Sequence, residues 1–222
     1  MSYTVPITDI QQITHDVKQF TVEKPEGYEF EPGQATEVSI NKEGWKDEKR
    51  PFTFTSLNED PALQFTIKIY DDHNGVTKQI GKLQKGDEFI VDDPWGTIQY
   101  KGKGVFLAGG AGLTPFIAIL RKLYKDGTLK GNRLIFSNKS EKDIILKDEF
   151  RTMLGPDFLN TLPEQDHSDE FHTDVIDKEF LEKHVDDFDQ HFYVCGPPQM
   201  VDDIKSHLKE LGADADGLVF EE

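Results

Sequence analysis

Four stretches of this sequence combine residue types that suit the holding of phosphates and flat aromatic rings. Arg50-Pro-Phe-Thr-Phe-Thr-Ser56 sets a guanidinium beside small hydroxyl side chains. An arginine in that company can clamp a phosphate through paired hydrogen bonds, and Phe52 offers a face for a ring to stack on. The same stretch also reads as an ordinary strand with an arginine at its edge. Val105-Phe-Leu-Ala-Gly-Gly-Ala-Gly-Leu-Thr-Pro-Phe116 reads as a short buried strand, a Gly-rich turn, and a helix with Pro115 in its first turn. Such a turn lets backbone N–H groups approach a diphosphate at a helix start, where the dipole favours an anion. Gly110 and Gly112 fit G-x-G, but Pro115 stands where the usual dinucleotide fingerprint has its third glycine. Asn74-Gly-Val-Thr77 opens a short helix and could take a further phosphate, although it is also a common helix cap. Val194-Cys-Gly-Pro-Pro-Gln-Met200 ends a strand and enters a helix; a lone cysteine there is ordinarily structural.

The elements that must position these residues fall into two rhythms. Up to about Trp95 the pattern is of short alternating runs broken by turn residues, with strands expected at Tyr3–Ile10, Val17–Val22, Ala35–Ile40, Pro51–Ser56, Leu63–Tyr70 and Glu88–Val91. One helix, Val76 to Leu83, interrupts them, with Ile80 and Leu83 facing inward. Such spacing predicts a small closed antiparallel barrel. After Gly104, strands at Val105–Ala108, Arg133–Ser137, Phe158–Leu162, His191–Val194 and Gly217–Phe220 alternate with helices. The helices are expected at Pro115–Tyr124, Ile145–Leu154, Lys178–His184 and Pro198–Leu211, which predicts a parallel sheet with helices on both faces. The Lys/Gly-rich link Tyr100–Gly104 divides the chain into residues 1–100 and 101–222. In such a sheet ligands lie beyond the carboxyl ends of the strands, here Gly109–Thr114, Ser137–Lys139 and Cys195–Pro198.

Composition narrows the function classes. With 36% hydrophobic and 30% charged residues the chain reads as globular rather than disordered. A net charge of −17 argues against nucleic acid, whose phosphates it would repel. No apolar run is long enough to span a membrane, and Met-Ser-Tyr-Thr-Val-Pro does not read as a signal peptide, so a cytoplasmic protein is expected. A single cysteine excludes an internal disulfide and a multi-cysteine metal cluster within the chain. Pro163–His172 is polar and acidic and reads as a mobile loop. His167 and His172 stand there near Asp166, Asp169 and Glu170, but their spacing matches no ligand template, so no metal is expected.

Taken together and in this order, the four motifs resemble the ferredoxin–NADP reductase superfamily over nearly the whole chain. The resemblance implies an N-terminal antiparallel Greek-key β-barrel that binds flavin and a C-terminal α/β parallel-sheet domain that binds a nicotinamide dinucleotide. It implies Arg50 at the flavin phosphate, Phe52 packed on the isoalloxazine, and Thr53 near the nitrogen that receives hydride. Pro51 and Ser56 complete that strand motif, and the backbone at Ile67 and Lys68 contacts flavin edges. Gly75, Val76 and Thr77 would hold the pyrophosphate, which favours FAD over FMN. Gly110, Gly112, Thr114 and Pro115 would hold the dinucleotide diphosphate, and Cys195, Gly196 and Pro197 would border the nicotinamide. Thr53 and Cys195 would then be orienting catalytic residues rather than a base and a nucleophile.

The implied activity is hydride transfer from NADH or NADPH onto FAD, with electrons passed to a separate, unidentified acceptor. The strong negative charge disfavours acidic ferredoxins and flavodoxins and suits a basic or small-molecule acceptor. The alternatives are a flavin-binding electron-transfer or regulatory subunit of a larger redox complex, and a nonenzymatic nucleotide-binding module. Three departures from the family pattern stand out. Asn74 replaces a glycine, and Phe52 replaces a common tyrosine. The chain closes Val219-Phe-Glu-Glu222, so that Glu221 matches a family glutamate while the usual covering ring is absent, which predicts a more open flavin face. Ser137-Asn-Lys-Ser140 and Asn160-Thr-Leu-Pro-Glu164 lack the Ser-Arg pair of phosphorylated-dinucleotide binders, which favours NADH.

Overall fold

Short strands of β-branched and aromatic residues, with one row of side chains turned into a common core, build the first half of the chain. In the computed structural model, which describes residues 1–72, 74–96, 98–164 and 170–220, six strands form: β1 (Ser2–Gln12), β2 (Val17–Glu23), β3 (Ala35–Ile40), β4 (Arg50–Thr53), β5 (Ala62–Lys68) and β6 (Glu88–Asp92). They make one six-stranded sheet in the order β4-β3-β6-β1-β2-β5. An antiparallel bridge between Phe54 and Phe65 brings its two ends together, so the sheet curls into a nearly closed barrel. β3 lies beside β6 rather than beside its chain neighbour β2, which gives the Greek-key path. Phe20, Phe54, Phe65, Phe89, Val38 and Val91 fill the interior. Phe30 stacks on Phe54 with ring centroids 4.2 Å apart. Deep in the wall the Tyr28 hydroxyl donates to Asp92 O at 2.6 Å, and burial pushes its pKa up to about 12.

The helix interrupting the strands, α1 (Val76–Ile80), is shorter than its periodicity predicts. Beyond Ile80 the chain tightens into turns in which Lys82 N bonds Gln79 O and Leu83 N bonds Ile80 O. Ile80 and Leu83 are buried as expected.

The second half alternates β7 (Gly104–Gly109), α2 (Thr114–Lys125), β8 (Arg133–Ser137), α3 (Lys147–Leu154), β9 (Phe158–Thr161), α4 (Lys178–His184), β10 (His191–Cys195), α5 (Pro198–Glu210) and β11 (Leu218–Phe220). Its strands form a five-stranded parallel sheet in the order β11-β10-β7-β8-β9. Val105, Leu107, Ile135, Phe192 and Val194 turn one face toward Phe180 and Leu181 of α4 and Ile204 and Leu208 of α5. On the opposite face Phe150 of α3 meets Phe158. The chain packs as two compact units, one of Met1–Thr97 with Thr114–Lys122, the other of Ile98–Leu113 with Leu123–Glu222.

The segment expected to be a mobile loop is pinned at its described end. Leu162 N and His172 N close a pair of backbone bonds with His172 O and Asn160 O, and Glu170 pairs with Lys147 and Arg151. Asp166, His167 and Asp169, considered above for a metal, lie outside the described residues. No helix among the described residues is long and apolar enough to cross a membrane.

Candidate functional site

In the barrel unit, the site residues gather where β4 and β5 part. Pairing of Ala35 with Thr53 and of Val38 with Arg50 fixes β4 against β3. Toward β5 the chain is bridged only further on, at Phe54–Phe65, with Thr55 N bonding Gln64 O. Alternation therefore places Thr53 and Pro51 on the outer face of the barrel wall, and Phe52 against the core side, where it is partly buried.

Arg50 is half exposed (51%), with its nearest carboxylate, Glu48, at 3.8 Å and Nη1 donating to Lys49 O. Thr53 is 8% exposed, and its hydroxyl makes no hydrogen bond among the described residues. Gly75, at the start of α1, is extended and gives no side-chain cap, so the first N–H groups of that helix are not capped by a side chain. A half-exposed guanidinium, the Thr53 hydroxyl and backbone donors without a side-chain cap together fit a group that carries phosphates and a ring.

Two predicted site residues are already engaged. The Ser56 hydroxyl accepts from Gln64 N at 3.0 Å, inside the unit. Lys68 Nζ pairs with Asp16 at 2.9 Å, which leaves its backbone, as expected, as the part able to contact a ligand. Burial works to raise the Asp16 pKa, but the hydrogen bonds from Lys68 and Thr14 outweigh it and hold the carboxyl below its ordinary value.

In the α/β unit, β7 and β10 run side by side with Cys195 level with Ala108. The two turns that follow them interlock through glycine. A Cβ on Gly112 would meet Cys195 O at 2.4 Å and Gly196 Cα at 2.6 Å; one on Gly196 would stand 3.1 Å from Gly109 N. Gly110 adopts φ 51°, the left-handed region that glycine enters without strain. Cys195 is 7% exposed, and Pro197 leads into α5 with Pro198 as its first residue. The turn Gly110–Leu113 thus presents its backbone, and α2 follows directly from Thr114 and Pro115.

At the next strand ends, Asn138 is 7% exposed, and both atoms of its carboxamide lack partners among the described residues. Asn160 Oδ1 and Thr161 Oγ1 are unpartnered in the same way. Such orphaned polar groups are costly unless something else satisfies them. Lys139 lies 3.8 Å from Glu164. On β11, Phe220 is level with Val194 and has Lys205 Nζ over its ring at 3.2 Å; Glu221 lies outside the described residues.

Within the stretch Asn160–Glu164 that the sequence singles out, the Thr161 side chain is fully buried. Sequence reasoning missed Arg121, which donates to Thr55 O at 2.6 Å and to Gln64 Oε1 at 2.7 Å and so ties the second half of α2 to the strand motif. No local signal marks a contact so distant in sequence.

A nearly closed antiparallel barrel followed by a parallel α/β sheet entered through a Gly-rich turn defines a two-domain protein. Comparison with known proteins agrees. Residues 4–100 match the oxidoreductase FAD-binding domain and residues 106–206 the oxidoreductase NAD-binding domain. The chain is 33% identical to NADH-cytochrome b5 reductase 1 of Mycosarcoma maydis over 81% of its length and 59% of that protein. It is 31% identical to the Kluyveromyces lactis protein of the same name, over 81% of this chain and 68% of that one. It is 26% identical to the reductase component of propane 2-monooxygenase from Rhodococcus jostii, covering 97% of this chain and 62% of that one. The chain thus spans about three fifths of the first and last of these relatives. A ferredoxin NADP+ reductase from Neisseria gonorrhoeae, solved with bound FAD and NADP, superposes with a TM-score of 0.86 at 20% identity over 99% of this chain and 98% of that one. The chain belongs to the ferredoxin–NADP reductase superfamily, and its two domains are those that bind FAD and a nicotinamide dinucleotide.

Proposed function

We propose that this chain is an NADH-dependent flavoprotein reductase that takes hydride onto FAD and passes the electrons to a separate acceptor. The observation that carries the reading is the interlock of the Gly109–Gly112 turn with Cys195–Gly196, in a chain that also keeps the Arg50 guanidinium half exposed. FAD, when bound, supplies the acceptance of a hydride and the release of single electrons. The chain's own residues bind and orient. Arg50 takes a phosphate, while the N–H groups of Gly75 and Val76 and the Thr77 hydroxyl take the rest of the pyrophosphate. The Thr53 hydroxyl bonds the ring's reacting edge, and Phe52, on the core side of the same strand, packs behind that wall rather than on the ring as the resemblance implies. In the second unit the N–H groups from Gly110 to Gly112, with Thr114, hold the dinucleotide diphosphate. Cys195, Gly196 and Pro197 fix where the nicotinamide can lie, and alignment of this kind can contribute several powers of ten in rate.

NADH is favoured over NADPH by the neutral character of the strand ends. Asn138, Asn160 and Thr161 are buried and uncharged, no arginine stands in Ser137–Ser140 or Asn160–Glu164, and the nearest cation on the turn, Lys139, faces Glu164. A net charge of −17 disfavours acidic acceptors. Loading the protein with FAD and mixing it anaerobically with NADH or NADPH tests the reading. Rapid bleaching by NADH at concentrations where NADPH is slow is expected. Flavin that binds but stays oxidised with either nucleotide would overturn it.

A further inference from the structure

Trp95 is 45% exposed, although its backbone is fixed by two hydrogen bonds to Ala35, at 2.6 and 2.8 Å. Leaving so large an apolar surface in water forfeits burial energy that a ring laid against it would recover. Its place in the sheet indicates which ring. Residues directly paired across strands point to the same face, and Ala35 is paired with both Trp95 and Thr53. Thr53, Ala35 and Trp95 therefore form one row on the outer face of the barrel wall. The row spans two strand spacings, on the order of 10 Å; a three-ring heterocycle centred over Thr53 covers about half of it, and the long indole side chain of Trp95 can reach across the rest. Beyond Thr53 on the opposite side lies β5, with the backbone of Ile67 and Lys68.

A flavin ring is chemically lopsided: its pyrimidine end carries hydrogen-bonding groups, and its dimethylbenzene end is apolar. The backbone of β5 suits the first end, and Trp95 suits the second. We propose that Trp95 is a flavin-contacting residue, its indole lying against the dimethylbenzene edge of the ring centred on Thr53. This rests on the flavin reading of the barrel site and adds to it the direction in which the ring lies.

An indole in contact with an excited flavin quenches it by electron transfer, which fades steeply with distance, so the emission of the bound flavin is the readout. The other tryptophan, Trp45, packs against the barrel core and serves as the control. FAD-loaded wild-type protein and Trp45→Phe are expected to be nearly dark. Trp95→Phe, at equal FAD content, should emit several-fold more strongly and with a longer lifetime. Equal darkness in Trp95→Phe with FAD bound would overturn the contact. A protein that takes up no FAD at all would remove the underlying reading instead. A second measurement needs no variant: FAD carrying a photoactivatable azide on its dimethylbenzene ring should label the peptide that contains Trp95. Labelling confined to other peptides would overturn the contact.

Discussion

A Cβ added to Gly112 would lie 2.4 Å from the carbonyl oxygen of Cys195. The obstacle is backbone at the end of a central strand, β10, which cannot swing aside as a side-chain tip can. The dinucleotide turn and the cysteine turn are thus one rigid body, and the position of one sets the position of the other. Gly112→Ala should force them apart, costing about 1–3 kcal/mol of stability in the manner of other overpacked sites. Thermal melts should show the loss. The KM for NADH should rise about tenfold or more, while FAD content stays at the wild-type level.

Cys195 forms part of the same body, and its carbonyl, not its thiol, takes the packing load from Gly112. Cys195→Ala should therefore leave the melting temperature and FAD content nearly unchanged. It should slow flavin reduction in single-turnover experiments by about tenfold, the scale that small misplacements of reacting groups produce. Unchanged reduction would show that the thiol does not help place the nicotinamide.

Arg50 carries the charge expected to meet the flavin phosphate, and its side chain is half exposed, with Glu48 at 3.8 Å. A hydrogen bond to a charged group is worth about 1.5–3 kcal/mol, so Arg50→Ala should weaken FAD binding to the apoprotein roughly 10- to 100-fold. Titration of the apoprotein with FAD measures this directly. Arg50→Lys should recover part of the affinity, since it restores the charge but not the paired geometry.

His184 carries a pH signature. Burial, then the nearby charges of His172, Lys183 and Arg133, lower its pKa below the ordinary 6.5, with Asp174 opposing them. Its Nε2 is buried without a partner among the described residues. The unfolded chain therefore binds a proton before the folded one does, so stability is full above the unfolded pKa and falls as the pH drops below it. The melting temperature should decline between about pH 7 and pH 5, and His184→Phe should flatten that decline. An equally steep decline in the variant would place the effect on other groups.

The sequence showed most of the architecture because its two periodicities are clean. Ala35–Ile40, Arg133–Ser137 and Lys178–His184 lie where alternation and helical spacing predict them. The interlock of Gly112 with Cys195 was invisible, because two motifs read separately carry no information on which backbone atoms they press together. The complete burial of Thr161 was unreadable for a related reason: what covers a side chain is a property of the fold. Trp95 marked only the end of the barrel pattern in the sequence; its bonds to Ala35 place it in the row of Thr53. Ser56 shows the reverse case, a residue marked by a motif whose hydroxyl serves Gln64 N.

The most direct test of hydride passing from NADH to the bound flavin uses NADH deuterated at the transferred position, mixed anaerobically with the FAD-loaded protein. Loss of the yellow colour should follow in a single turnover and should slow several-fold with deuterium. A protein that stays colourless when offered FAD, or yellow when offered NADH, would contradict the account.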